Sequence, residues 1–177
     1  MALQFFELAD QAKTNSCDKH TKLGAIIIDI NGNVLIESCN TMPTGIKITD
    51  DRLERPIKYQ YIEHAERNAC YYASKHGIKL EGTIMCMSCN PIPCTECARA
   101  IIQSGIKMII GRDIENVASK KWDDSCNFAL ELLKEADIII VFINENGKFN
   151  IIGNLPETYK QFLVSIGYDN WIWSSSD

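Results

Sequence analysis

Residues 83–111 read TIMCMSCNPIPCTECARAIIQSGIKMIIG, and the fold turns on this stretch. Residues 83–88 form a short apolar run of the kind that makes a buried strand. Residues 94–104 carry helical periodicity and stop at Gly105, and residues 107–111 are a second apolar run. Strand, helix and strand in so short a span imply a parallel crossover. The same stretch also holds Cys86, Cys89, Cys94 and Cys97, four of the eight cysteines of the chain.

Working outward, residues 124–136 read as a helix and 137–143 as a strand, which extends the alternation. Upstream, residues 62–75 read as a helix closed by His76-Gly77, with glycine as the stop. Two apolar runs, 23–30 and 34–37, flank Asn31-Gly32, the strongest short hairpin signal. Leu3, Phe6, Ala9 and Lys13 fall at helical spacing, so residues 2–14 make an amphipathic helix. The order predicts an α/β fold with helices on both faces of the sheet. Between hairpin and helix lies a polar stretch, 39–58, of a length usually functional or mobile. These elements group as a domain over 1–143. A C-terminal extension, 144–177, has Asn146-Gly147, the segment 148–152 and a helix over 155–166, and is expected to pack on the same domain or on a neighbouring subunit.

Composition narrows the functional classes. The chain has 177 residues, 46% hydrophobic and 23% charged, which is enough apolar material for one full core. Lys and Arg number 18 against 23 Asp and Glu, a net charge of −5, which speaks against long nucleic acid as partner because such binding draws on phosphate neutralisation. A small anionic ligand is not excluded. No apolar run approaches membrane-spanning length, and Glu7 and Asp10 stand where a signal peptide would be basic, so the expected location is cytoplasmic. Cysteines in such a chain point to metal or catalysis before disulfides.

Two short pieces carry the chemistry: His64-Ala65-Glu66 at one helix start and Pro93-Cys94-Thr95-Glu96-Cys97 at another. Cys94 and Cys97, three apart, share one helix face, and Pro93 precedes the first turn where a missing N–H does no harm. A helix N-terminus favours the thiolate that zinc binds. With His64 as third ligand the tetrahedral set keeps one position open, the arrangement of a catalytic zinc. Glu66, two residues from His64, cannot share its face and would approach from beside the metal as general acid and base. Alone, an HxE triplet is more often surface, and a CxxC could be redox or structural. A competing four-thiolate site from Cys86, Cys89, Cys94 and Cys97 fits poorly, because residues three apart on a strand face opposite ways. Cys17, Cys39, Cys70 and Cys126 read first as packing residues.

With these residues in hand, the chain resembles the cytidine deaminase-like superfamily and, within it, the deoxycytidylate (dCMP) deaminases. The likeness extends beyond HAE and PCxxC. It includes LGAIIID at 23–29, NTMPTG at 40–45, KYQYIEHAERNA at 58–69 and SKKWDDS at 119–125, and runs from about Ser16 to Val141. Departures are Thr41 for Gly, Cys39 for a Gly before Asn40, and a longer link before Pro93 with Ile92 where an aromatic or Glu is common. The resemblance implies a three-layer α/β/α fold around a mixed five-stranded sheet. It also implies Zn2+ as cofactor, hydrolytic deamination of dCMP to dUMP and ammonia, and a homo-oligomer, for which Trp171-Ile172-Trp173 would suit a subunit contact. It assigns Asn40 to a sugar hydroxyl, the Ala65 backbone N–H to the base carbonyl, and Trp122 to the neighbourhood of the nucleotide. Arg52, Arg55 and Lys58, together with Lys120 and Lys121, are the cations available for phosphate. The rivals are a deaminase of cytidine, guanine or tRNA adenosine, and a zinc-stabilised binding protein without chemistry.

Overall fold

The computed structural model describes residues 2–113, 123–144 and 146–166. The elements, in chain order, are α1 (Ala2–Lys13), β1 (Gly24–Ile28), β2 (Val34–Cys39), α2 (Asp50–Leu53), a 3-10 turn (Ile57–Gln60), α3 (Ala65–His76), β3 (Ile84–Met87), α4 (Thr95–Gln103), β4 (Met108–Arg112), α5 (Asp123–Glu135), β5 (Ile139–Ile143), β6 (Phe149–Ile152) and α6 (Glu157–Ser165). The sheet order is β2-β1-β3-β4-β5-β6. Its centre, β3-β4-β5, is parallel through α4 and α5, while β1 runs antiparallel to both β2 and β3.

Strands buried on both faces lose the polar alternation of a half-exposed sheet. β1, GAIII, is buried at every position for that reason. One face, with Ile27, Met85, Ile109 and Ile140, packs against Ala69 of α3, Ile101 of α4 and Leu133 of α5. The opposite face, with Ile26, Ile84, Met108 and Ile139, packs against Phe6 and Ala9 of α1 and Phe162 and Leu163 of α6. Three layers result.

Five strands were expected, and the sheet among the described residues has six. The sixth, β6, pairs antiparallel with β5, Ile140 opposite Ile152, after a turn through Gly147 at φ 71°. Asn144 Oδ1 holds that turn, accepting the N–H groups of Asn146 and Lys148 at 3.0 and 2.9 Å. Four residues at a sheet edge carry too little periodicity to reveal membership, which β5 supplies by offering a free edge. The polar stretch 39–58 contains α2 and leads into the 3-10 turn. α3 starts at Ala65, later than its periodicity suggests, because Glu63 is drawn into an extended bridge with Thr41. It ends as expected at Gly77, left-handed at φ 67°, whose N–H reaches Ala73 O. Among the described residues no helix is long and apolar enough to cross a membrane.

Candidate metal centre

The chain beyond β2 brings the first site residue into place. Glu63 N–H donates to Thr41 O at 2.8 Å and Thr41 N–H donates back at 3.1 Å, so the residue before His64 is pinned to the continuation of the sheet edge. His64 then takes the N-cap position of α3 with extended φ −71° and ψ 151°, and its side chain makes no cap bond. Cys94 occupies the same position on α4, at φ −72° and ψ 163°, also without a side-chain cap. Two N-caps thus aim potential ligands outward from their helices. Cys97, one turn into α4, is buried.

His64 Nδ1 lies 3.5 Å from both Cys94 Sγ and Cys97 Sγ. The three atoms fall within 4.8 Å of one another, and among the described residues this is the group of His, Cys, Asp or Glu spaced to hold one metal ion. Zinc bonds sulfur at about 2.3 Å and nitrogen at about 2.0–2.1 Å, which in a tetrahedron sets sulfur and nitrogen roughly 3.5–3.6 Å apart. The donor set therefore fits zinc in both chemistry and spacing.

Electrostatics agree with that geometry. The hydrogen bond from Cys97 pushes the Cys94 thiol down to about 4, against burial and with help from His64. Cys97, as the donor of the pair, is held up by Cys94 and by burial. The Cys94 bond also raises His64 above the ordinary imidazole value. Glu66 is 4% exposed, burial raises its carboxyl, and its Oε2 is buried with no hydrogen-bond partner. A carboxylate oxygen so placed costs free energy unless something arrives to meet it. Beside a three-ligand set, it can hold and move a proton.

The four-thiolate alternative fails on direction. Cys86 belongs to the core facing α1 and α6, and burial pushes its thiol up to about 12. Cys89 Sγ donates to Asn90 O at 3.5 Å, and burial likewise pushes it up to about 12.

The other expected residues are placed as follows. Ala65 is the first residue of α3 and is buried. Asn40 is buried with both ends of its amide engaged: Oδ1 accepts Leu23 N–H at 2.7 Å, and Nδ2 donates to Thr21 O at 2.7 Å. Lys58, named as a cation for phosphate, is 3% exposed with its Nζ 2.5 Å from Asp18 Oδ2. Arg52 lies over the Tyr61 ring at 4.7 Å and donates to Lys47 O, while the exposed Arg55 reaches Thr21 Oγ1 at 3.5 Å. Lys120, Lys121, Trp122 and the Trp171-Ile172-Trp173 stretch lie outside the described residues.

Arg67 was missed from sequence. It pairs with Glu63, whose Oε1 also accepts His64 N–H at 3.1 Å, and it lies 3.7 Å from Glu96, which sits between the two cysteines. One guanidinium therefore joins the two helix starts that carry the ligands. Its signal was the Glu63–Arg67 spacing of four.

Comparison with known proteins follows the same residues. Residues 2–111 match the family described as the cytidine and deoxycytidylate deaminase zinc-binding region. An uncharacterised deaminase of Aliivibrio fischeri, from the luxG 3′ region, is 29% identical over 142 residues, covering 80% of this chain and 92% of that protein. Human deoxycytidylate deaminase is 31% identical over 114 residues, covering 60% of this chain and 61% of the human protein, so the match spans under two thirds of that enzyme. The dCMP deaminase of cyanophage S-TIM5, solved in complex with dCMP and dUMP, superposes with a TM-score of 0.63 at 21% identity, covering 80% of this chain and 96% of the phage chain. At that identity the likeness shows the fold.

Proposed function

We propose a reaction from one premise: the chain belongs to the cytidine and deoxycytidylate deaminase zinc-binding family. The reaction is hydrolytic deamination of dCMP to dUMP and ammonia, with His64, Cys94 and Cys97 holding the zinc. The observation that carries it is the unpartnered, buried Glu66 Oε2 beside that ligand set. The named deoxycytidylate deaminases among the relatives supply the choice of nucleotide.

When bound, zinc supplies Lewis acidity that brings a water molecule's pKa towards neutrality. The protein's own groups do the rest. Glu66 Oε2 takes a proton from the attacking water and delivers it to N3 of cytosine, then takes the remaining proton from the new hydroxyl on C4 and passes it to the departing amino group. A C4–O bond forms, the C4–N bond breaks, and nitrogen leaves as ammonia. The Ala65 N–H, at the first position of α3, would hold the base carbonyl where the helix start favours negative charge. Asn40 keeps the 18–23 loop in place and would turn the remaining lone pair of its Oδ1 to the sugar. Phosphate falls to Arg52 and Arg55 in the α2 segment and to Lys121, since the Lys58 ammonium is engaged by Asp18. The reading also takes the enzyme as cytoplasmic, as the sequence itself suggests, and as homo-oligomeric, as the resemblance implies.

Glu66→Gln keeps the shape and removes the proton carrier. Ammonia release from dCMP should fall by at least about a hundredfold, while zinc content stays at one per chain. A screen over dCMP, CMP, deoxycytidine and guanine fixes the substrate. Undiminished turnover in the Gln variant would remove Glu66 from the mechanism, and activity on none of the four compounds would leave a zinc-stabilised binding protein.

A further inference from the structure

Thr95, the first residue of α4, presents one of the backbone N–H groups that every helix leaves unpaired at its start. A Ser, Thr, Asp or Asn at the N-cap serves the N–H of the second or third helical residue and leaves the first without a partner. Here the N-cap is Cys94, whose sulfur is turned to His64. The acceptor for Thr95 N–H comes from another helix. Ser125 Oγ, in the first turn of α5, accepts Thr95 N–H at 3.0 Å.

Two further contacts close the arrangement. Thr95 Oγ1 lies 2.8 Å from Ser125 O and 2.9 Å from Ser125 Oγ. One assignment of protons satisfies all three contacts: the Thr95 hydroxyl donates to the Ser125 carbonyl, and the Ser125 hydroxyl donates to Thr95 Oγ1 while accepting the backbone N–H. Each hydroxyl is donor and acceptor at once, so neither rotates without losing a bond.

We propose that Ser125 is a positioning residue for the metal centre, supplying from α5 the acceptor for the first N–H of α4, which an N-cap side chain does not reach. The inference rests on the zinc reading. Thr95 stands between the two thiol ligands in the chain, so a swing of the first turn of α4 moves both sulfurs against a His64 fixed on α3. Alanine at 125 removes the acceptor and the second donor, yet as the best helix former it leaves α5 intact, so its effect stays at the α4 start.

The test compares the wild type with Ser125→Ala, Ser125→Thr and Thr95→Val, each loaded with one zinc. The rate of zinc loss to a chromogenic chelator and the melting temperature of the zinc-free form are measured for all four. Partners that orient ligands typically contribute 10- to 100-fold in metal affinity, so Ser125→Ala should release zinc about tenfold faster or more. Thr95→Val should speed release as well, and Ser125→Thr, which restores the hydroxyl, should return close to the wild-type rate. Zinc loss from Ser125→Ala at the wild-type rate would overturn the inference. So would faster loss that Ser125→Thr fails to reverse. A wild type that takes up no zinc would instead overturn the zinc reading itself.

Discussion

Lys58 and Asp18 stand far apart in the chain yet meet at 2.5 Å, with side chains 3% and 4% exposed. Asp18 also accepts the N–H groups of His20 and Thr21 at 2.8 and 3.2 Å, so both of its oxygens are engaged. Burial alone would raise its carboxyl, but the Lys58 bond and the two N–H groups outweigh burial and hold it below the ordinary range. Breaking a buried pair from one side strands a charge and costs about 3–5 kcal/mol, whereas replacing both partners costs far less. Lys58→Met should therefore lower stability by about 3 kcal/mol in urea unfolding, and Asp18→Asn added to it should recover part of that loss. The pH dependence has a definite sign. A folded pKa below the unfolded value gives stability that is complete above about pH 4 and is lost as pH falls through the folded pKa. Between pH 6 and 3 the melting temperature of the wild type should fall more steeply than that of the double variant. The candidate triad could be picked out in the sequence because HAE and PCxxC are local patterns, each complete within a few residues. Lys58 was not legible: a lysine in a polar stretch looks solvated, and nothing near it in sequence announces Asp18.

At the scale of elements, the link from β3 to α4 is held by its neighbour β4. Arg112 N–H donates to Cys89 O at 2.9 Å, laying the link across the strand end. A Cβ on Gly111 would sit 2.5 Å from Cys89 O and 2.6 Å from Pro91 N, both backbone atoms. The strand can meet the link this closely only without a side chain. Gly111→Ala should destabilise the fold by about 1–3 kcal/mol, as overpacking does. It should also weaken zinc binding, because the displaced link leads directly into Cys94. Urea unfolding of the chelated protein and a zinc titration separate the two effects, and wild-type zinc affinity would show that the link does not set the ligand geometry. From sequence Gly111 reads as the end of a strand, since its crowding arises only when the crossover returns over β4. The first five strands, the hairpin and five of the helices were readable because each carries its own periodicity and stop signals. β6 and α2 were not, being too short to show a period of their own.

For the molecule as a whole, the candidate metal centre ties together parts that arrive by different routes. His64 comes from the segment pinned to the β2 edge, and the cysteines come from the crossover between the parallel strands β3 and β4. Metal bound only by the folded chain adds its binding free energy to folding, about 2.7 kcal/mol when free zinc is a hundredfold above the dissociation constant. For a chain of this size each kcal/mol moves the melting temperature by roughly 2–4 °C. Chelation at pH 7 should therefore lower the melting temperature by about 5–10 °C at that zinc level. The sheet should survive chelation, because both of its core clusters are built from apolar side chains of β1, β3, β4 and β5 packed on α1, α3, α4, α5 and α6. Far-UV circular dichroism should accordingly change little at 25 °C, while amide exchange quickens at the starts of α3 and α4. Loss of the whole spectrum on chelation would mean that the centre is a structural staple, and the open coordination position would then need another explanation. Retention of the sheet together with slowed, zinc-restorable ammonia release would place the metal where Glu66 requires it, at the rim of an already folded α/β/α core.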